Sequence, residues 1–195
     1  MLAFLDRQLK LWHFCLANGA ALAWFAIMAW ATQSALPGMK LFRCPIGLCP
    51  GYYSQSELQT TLTRIGKGGR DFLADTLLPL DMVLPALLLI AFVVTYVWFS
   101  RPGQPAAVPL SSGFRYALLS VPLAYCIADY AENWTLAEAL QAYPSIPYRL
   151  ARRASFLTAT KSQLVVASFG IAVAFAVAAW GLTHHWHDRE TDSQR

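Results

Sequence analysis

The chain has 195 residues, 56% of them hydrophobic and 13% charged, with a formal charge of +4, a pI near 9.0 and a mean hydropathy of +0.40. That charged share is about half that of a soluble protein, too little to cover a water-facing surface, and the apolar residues fall in long blocks, so a soluble domain is excluded. The basic residues are scattered without a basic run or binding motif, which argues against nucleic acid and for topology signals and lipid headgroups as their purpose.

In chain order, the first apolar block covers about 11–31. It is long enough to cross the bilayer as a helix, which takes roughly 20 residues. Arg7, Lys10 and the Ala29-Trp30-Ala31 stretch also resemble a cleaved signal peptide, but the apolar run is long and Trp30 is large for a cleavage site. The long first loop, 32–69, is broken in its first half by Pro37, Gly38, Pro45, Gly47, Pro50 and Gly51. Cys44 and Cys49 flank a short turn there and are a candidate local disulfide in an oxidising compartment; the spacing does not suit zinc. In its second half, Ser54 and Glu57 form a capping box, and Leu58, Leu62 and Ile65 give one apolar face until Gly66, Gly68 and Gly69. This reads as a short interfacial helix.

The second span covers about 77–99, with a possible early start near Arg70. Pro85 lacks an amide and frees the carbonyl of Asp81, so a kink is expected beside a buried carboxyl. The third span covers about 114–140. Its Asp129, Glu132 and Asn133 lie at i, i+3 and i+4 on one face, extended by Pro122, Tyr125 and Cys126. The third loop, about 141–160, carries Pro144, Pro147 and three arginines, with Leu150, Ala154 and Leu157 as an apolar edge, and reads as a second interfacial segment. The fourth span covers about 163–182. Its Ala167, Ser168, Gly170, Ala172, Ala174, Ala176 and Ala178 suit close helix packing. The tail, 183–195, carries His184, His185 and His187, which with His13 read as solvated interfacial histidines rather than metal ligands. Cys15 and Cys126 read as packing residues. Trp12, Trp30, Trp98, Tyr116, Tyr143 and Trp180 sit near span ends, where amphipathic rings belong. Basic residues are somewhat more numerous in the first and third loops than on the opposite face, a margin too thin to fix the orientation.

The fold expected is therefore all-α: a polytopic membrane protein with a four-transmembrane-helix bundle in a single membrane domain and an interfacial helix in the first loop. Alternation of the spans puts Asp81, Asp129 and Glu132 at overlapping depths below one face, with Lys161 at the start of the fourth helix on that face. A charge at such depth costs a few kcal/mol and needs a partner. The expectation is a ligand pocket holding Asp81, Tyr125, Asp129, Glu132, Asn133 and Lys161. The alternative is a structural network that fixes helix register. No metal site is expected, and no cofactor is indicated.

Several of these residues carry a resemblance. The chain resembles a group of uncharacterised bacterial four-helix membrane proteins in Tyr53-Ser54, Glu57-Leu58, Gly69-Arg70, Asp81 with Pro85, Asp129-x-x-Glu132-Asn133 and Ser155-Phe156-x-Thr158-x-x-Lys161, over roughly residues 50–165. The resemblance implies a multi-pass protein of the cell membrane, most simply the bacterial inner membrane, and no assigned activity. A looser architectural analogy links it to sterol-isomerase and sigma-2-receptor type bundles, which bind hydrophobic ligands. Four functions compete. The first is a protein binding a lipid or other hydrophobic ligand. The second is a membrane enzyme whose candidate catalytic acids are Asp81, Asp129 and Glu132, with Asp81 and Glu132 as the acid/base pair and Lys161 or Arg153 steadying an anion. The third is a proton-coupled carrier, disfavoured by the lack of inverted repeats. The fourth is a structural or accessory subunit with a protein partner in the membrane.

Overall fold

The computed structural model describes residues 2–36, 52–101, 108 and 110–192, of which 3 and 182–192 are described in backbone alone. The fold is all-helical, with no strand among the described residues. Three stretches are long and apolar enough to cross a membrane: Leu11–Ala35, Gly66–Ser100 and Tyr148–Gly181. The large side chains on the outside of two of them are apolar, including Leu16, Leu22 and Trp30 on the first and Val166, Val173 and Val177 on the last. Asp129, Glu132, Lys161, Thr158 and Ser168 are buried. Polar inside and apolar outside is the reverse of a water-soluble protein and suits a hydrocarbon surround.

Helix α1 (Leu2–Gln8) leads into α2 (Leu11–Ala35). The start of α2 is held by His13, whose Nδ1 accepts from the Lys10 amide at 3.0 Å. Helix α3 (Gln55–Arg64) opens on the expected capping box: the Ser54 amide donates to Glu57 Oε2 at 2.7 Å and the Glu57 amide to Ser54 Oγ at 3.2 Å. Gly66 stops it at φ +69°, a left-handed conformation that L side chains resist.

The glycines do not end the helical path, however. Helix α4 (Gly66–Phe72) resumes at once and runs through a π-helical turn (Leu73–Leu77) and α5 (Leu78–Asp81) to α6 (Leu84–Ser100). The second long stretch thus begins at Gly66, well before the expected 77. Its irregularities follow its prolines. The amide of Leu78 reaches back to the Leu73 carbonyl across the π turn just before Pro79. Between α5 and α6, ahead of Pro85, the ladder breaks at Met82 and Val83. The Leu80 carbonyl at this break accepts the Val83 amide at 3.2 Å and the indole Nε1 of Trp24 from α2 at 2.9 Å. Gly69 permits the close approach of Ile65 and Leu36, since a Cβ there would lie 2.7 Å from Ile65 Cβ.

Helix α7 (Ser112–Gln141) is capped by Ser111 Oγ on the Phe114 amide at 3.3 Å. Helix α8 (Tyr148–Asp192) starts directly after Pro147. The expected third loop of 141–160 therefore shrinks to a short turn, and the supposed interfacial segment is the first turns of a continuous helix, with Ala154 fully buried. Helices α7 and α8 pack against each other, α6 packs on both, and α2 lies against α6.

Three further expectations change. The apolar face of α3 does not lie open to lipid: Leu58 and Leu62 are 1% and 2% exposed, in a core with Leu73, Ala139, Ile146 and Ala151. Of the small residues expected to pack in the fourth helix, Ser168 is buried and Ala172 half-buried, while Ala167, Gly170, Ala174, Ala176 and Ala178 face outward. The close-packed small residues of α8 are instead Ala151, Ala154, Ala159, Ser168 and Ala179. Cys126 is buried, but Cys15 is exposed on α2 and does not pack in the core.

Candidate functional site

The 3.6-residue period of α7 puts Tyr125, Asp129, Glu132 and Asn133 on one face, all buried. On the facing helix, Ser155, Thr158 and Lys161 recur at three-residue intervals and are also buried. Lys161 is not at the start of its helix, as the sequence suggested, but about 20 Å along it from Tyr148.

The neighbours of Lys161 are two carboxylates. Lys161 Nζ donates to Asp129 Oδ1 at 2.8 Å and pairs with Glu132 Oε2. The other oxygen of Asp129 accepts the Tyr125 hydroxyl at 2.7 Å, and Glu132 Oε1 accepts the Thr158 hydroxyl. With its proton given to Glu132, Thr158 Oγ1 is an acceptor for the Tyr53 hydroxyl 3.3 Å away. The Tyr53 amide in turn donates to Ser155 Oγ at 2.8 Å, fixing the approach to α3 on α8. Burial pushes the Tyr53 phenol up to about 12, so it stays protonated. At the other end of α3's first turn, the Ser54 amide and hydroxyl hold Glu57 below its ordinary value.

Beside this cluster lies a cavity of about 450 Å³. Its wall is apolar: Phe25, Met28 and Ala29 from α2, Leu58 and Leu62 from α3, and Leu136 and Ala139 from α7 among others. Polar groups enter it from Thr32, Asp81, Asn133 and Lys161. Asp81, at the helix break, is within electrostatic reach of Lys161 and Asp129 and beside Asn133, but forms no ion pair within 4 Å among the described residues. Asn133 is 3% exposed, and its Oδ1 has no hydrogen-bond partner among the described residues.

The structure thus brings Tyr125, Asp129, Glu132 and Lys161 into direct contact, and sets Asp81 and Asn133 on the cavity wall. Asp129, Glu132 and Tyr125 are behind that wall rather than on it. Arg153 is exposed, away from the cluster. Thr158, Ser155 and Tyr53 belong to the network although sequence reasoning gave them no role in it; the Ser155, Thr158, Lys161 spacing was the signal that could have found the first two. A second charged group was also missed. Arg115, 6% exposed, makes a bidentate pair with Asp6 at 2.5 and 2.9 Å, and Arg101 donates to the Leu9 carbonyl at 2.8 Å while stacking on Trp98. These contacts tie α1 to the far end of the bundle.

Cys44 and Cys49 lie outside the described residues, and the side chains of His184, His185 and His187 are not described. His13 is engaged by Lys10 and stacks on Trp12 at 3.6 Å. Among the described residues no three His, Cys, Asp or Glu side chains are grouped to hold a metal ion. Comparison of the chain with protein-family models, curated proteins and solved structures finds no match.

Proposed function

We propose that this chain is a four-span protein of the cell membrane whose cavity binds a lipid or other hydrophobic ligand. The observation that carries this reading is the cavity itself: about 450 Å³, apolar along its wall and polar where Asp81, Asn133 and Lys161 enter. Size and lining both fit a site for an amphiphile, where apolar contacts give affinity and a few polar groups fix orientation.

The fourth span in this reading is α7. Its 30 residues extend about 45 Å, more than the hydrocarbon core requires. Its buried acids are compensated internally by Lys161, and Arg115 by Asp6, while Phe114, Leu123, Ile127 and Trp134 form its exposed side. A helix with its mid-span charges paired inside, its exposed Glu138 close to the end, and its apolar side outward suits lipid. The sequence resemblance to the bacterial four-helix group is part of this proposal, and of the residues that carry it Tyr53, Asp81, Asp129, Glu132, Asn133, Ser155, Thr158 and Lys161 gather in or beside one network.

Binding fits the geometry better than acid/base catalysis by Asp81 and Glu132. Glu132 is fully buried against Lys161 and Thr158 and is not part of the cavity wall, so a ligand in the cavity does not reach it. The test is lipid extraction and mass spectrometry of the purified protein beside Leu136→Trp, which fills the cavity from α7. A defined species enriched over bulk lipid and lost in the variant is the expected result. Identical profiles matching bulk lipid overturn the proposal.

A further inference from the structure

Granted a hydrophobic ligand in this cavity, its head group is constrained by what the polar end already holds. We propose that the cavity takes an amphiphile whose head is a hydrogen-bond-donating cation, a primary ammonium on an apolar chain, received by Asp81 and Asn133.

Three observations carry this. First, the positive charge at the site is already matched. Lys161 is shared between Asp129 and Glu132, so its charge is already committed, and Asp81 stands beside this trio with no ion pair among the described residues. An anionic head, such as a phosphate or carboxylate, would meet an ammonium whose partners are in place and, in Asp81, an acid that no cation pairs among the described residues. Second, among the described residues nothing else on the wall supplies a cation. Helix α2 contributes Phe25, Met28, Ala29 and Thr32, and α3 contributes Leu58 and Leu62. Arg70, on the same arm as Asp81, donates to the Leu62 carbonyl at 2.8 Å and stacks on Tyr143. Third, the unfilled polar capacity is of one kind. Asn133 Oδ1 is a buried acceptor without a donor, and the Asp81 carboxylate accepts only. A buried acceptor left without a hydrogen bond is costly, so the occupant that relieves it must bring N–H or O–H groups. A primary ammonium brings three, together with the charge that Asp81 lacks; a quaternary ammonium brings the charge alone, and an alcohol a single donor.

This rests on the cavity being a ligand site, and the test separates the two claims. The full chain in phosphatidylcholine nanodiscs is offered oleylamine, oleyl alcohol and oleic acid, and occupancy is read by native mass spectrometry against empty nanodiscs. The expected result is that the amine binds at least about tenfold more tightly than the alcohol or the acid, and that Asp81→Asn, which keeps the side-chain shape, removes this preference. If the three oleyl compounds bind alike to the unaltered chain, or the preference survives Asp81→Asn, the head-group assignment is overturned and the cavity stands. If none of the three binds, both are overturned.

Discussion

Lys161 joins α8 to α7 through two carboxylates one turn apart on the opposing helix. Ion pairs in low dielectric gain little over a well-packed apolar core, but removing one member strands the others. The same logic in a wetter place governs Glu57. Its carboxylate accepts from the Ser54 amide and hydroxyl, which holds it below its ordinary 4.5. A depressed folded value means the contribution to α3 is complete above 4.5 and is lost as pH falls through the lower folded value. Protection of the amides in the first turn of α3, taken relative to their intrinsic exchange rates, should therefore fall as the pH drops below 4.5, and Glu57→Gln, whose neutral amide can still accept, should flatten that dependence. At this scale the sequence was informative where partners are near in the chain. Ser54 with Glu57, and Asp129 with Glu132 and Asn133, are visible as spacings. The contacts of Thr158 with Glu132 and Asp6 with Arg115 join residues far apart in the chain, and no local pattern encodes them.

Helix boundaries were legible where apolar blocks marked them and were lost where polar residues continue a helix. Helix α8 starts at Tyr148 because nothing after Pro147 breaks it. Arg149, Arg152 and Arg153 looked like loop, yet they occupy the exposed side of a helix whose other side buries Ala151, Ala154 and Ser155. That error displaced Lys161 to the helix start. For α3 the amphipathic pattern was read correctly, but a sequence does not say whether an apolar face meets lipid or protein. Here it meets protein, since Leu58 and Leu62 close one side of the cavity. Leu62→Ala should accordingly cost about 2–5 kcal/mol and loosen α3, read as denaturant unfolding and as faster exchange across 55–64. A cost near zero would mean that α3 leans on lipid rather than on Leu73 and Ala139.

Over the whole molecule, the buried charges and the cavity form a single arrangement. Helices α7 and α8 meet through Asp129, Glu132 and Lys161, and the arm of α4 to α6 brings Asp81 to the same place by breaking at Met82 and Val83. Helix α2 completes the wall and is pinned to that break by Trp24. Four crossings would set α1 and the end of α8 on one face and α3 with the α7–α8 turn on the other. The measurement that bears most directly on this arrangement is the unfolding free energy, in one fixed lipid or detergent, of Lys161→Met and of the triple variant Asp129→Asn, Glu132→Gln, Lys161→Met. Lys161→Met alone should lose about 3–5 kcal/mol by stranding two carboxylates, and the neutral triple variant should recover most of it. A single variant as stable as the parent, or a triple variant no better than the single, would contradict a charge cluster shut away from water between α7 and α8.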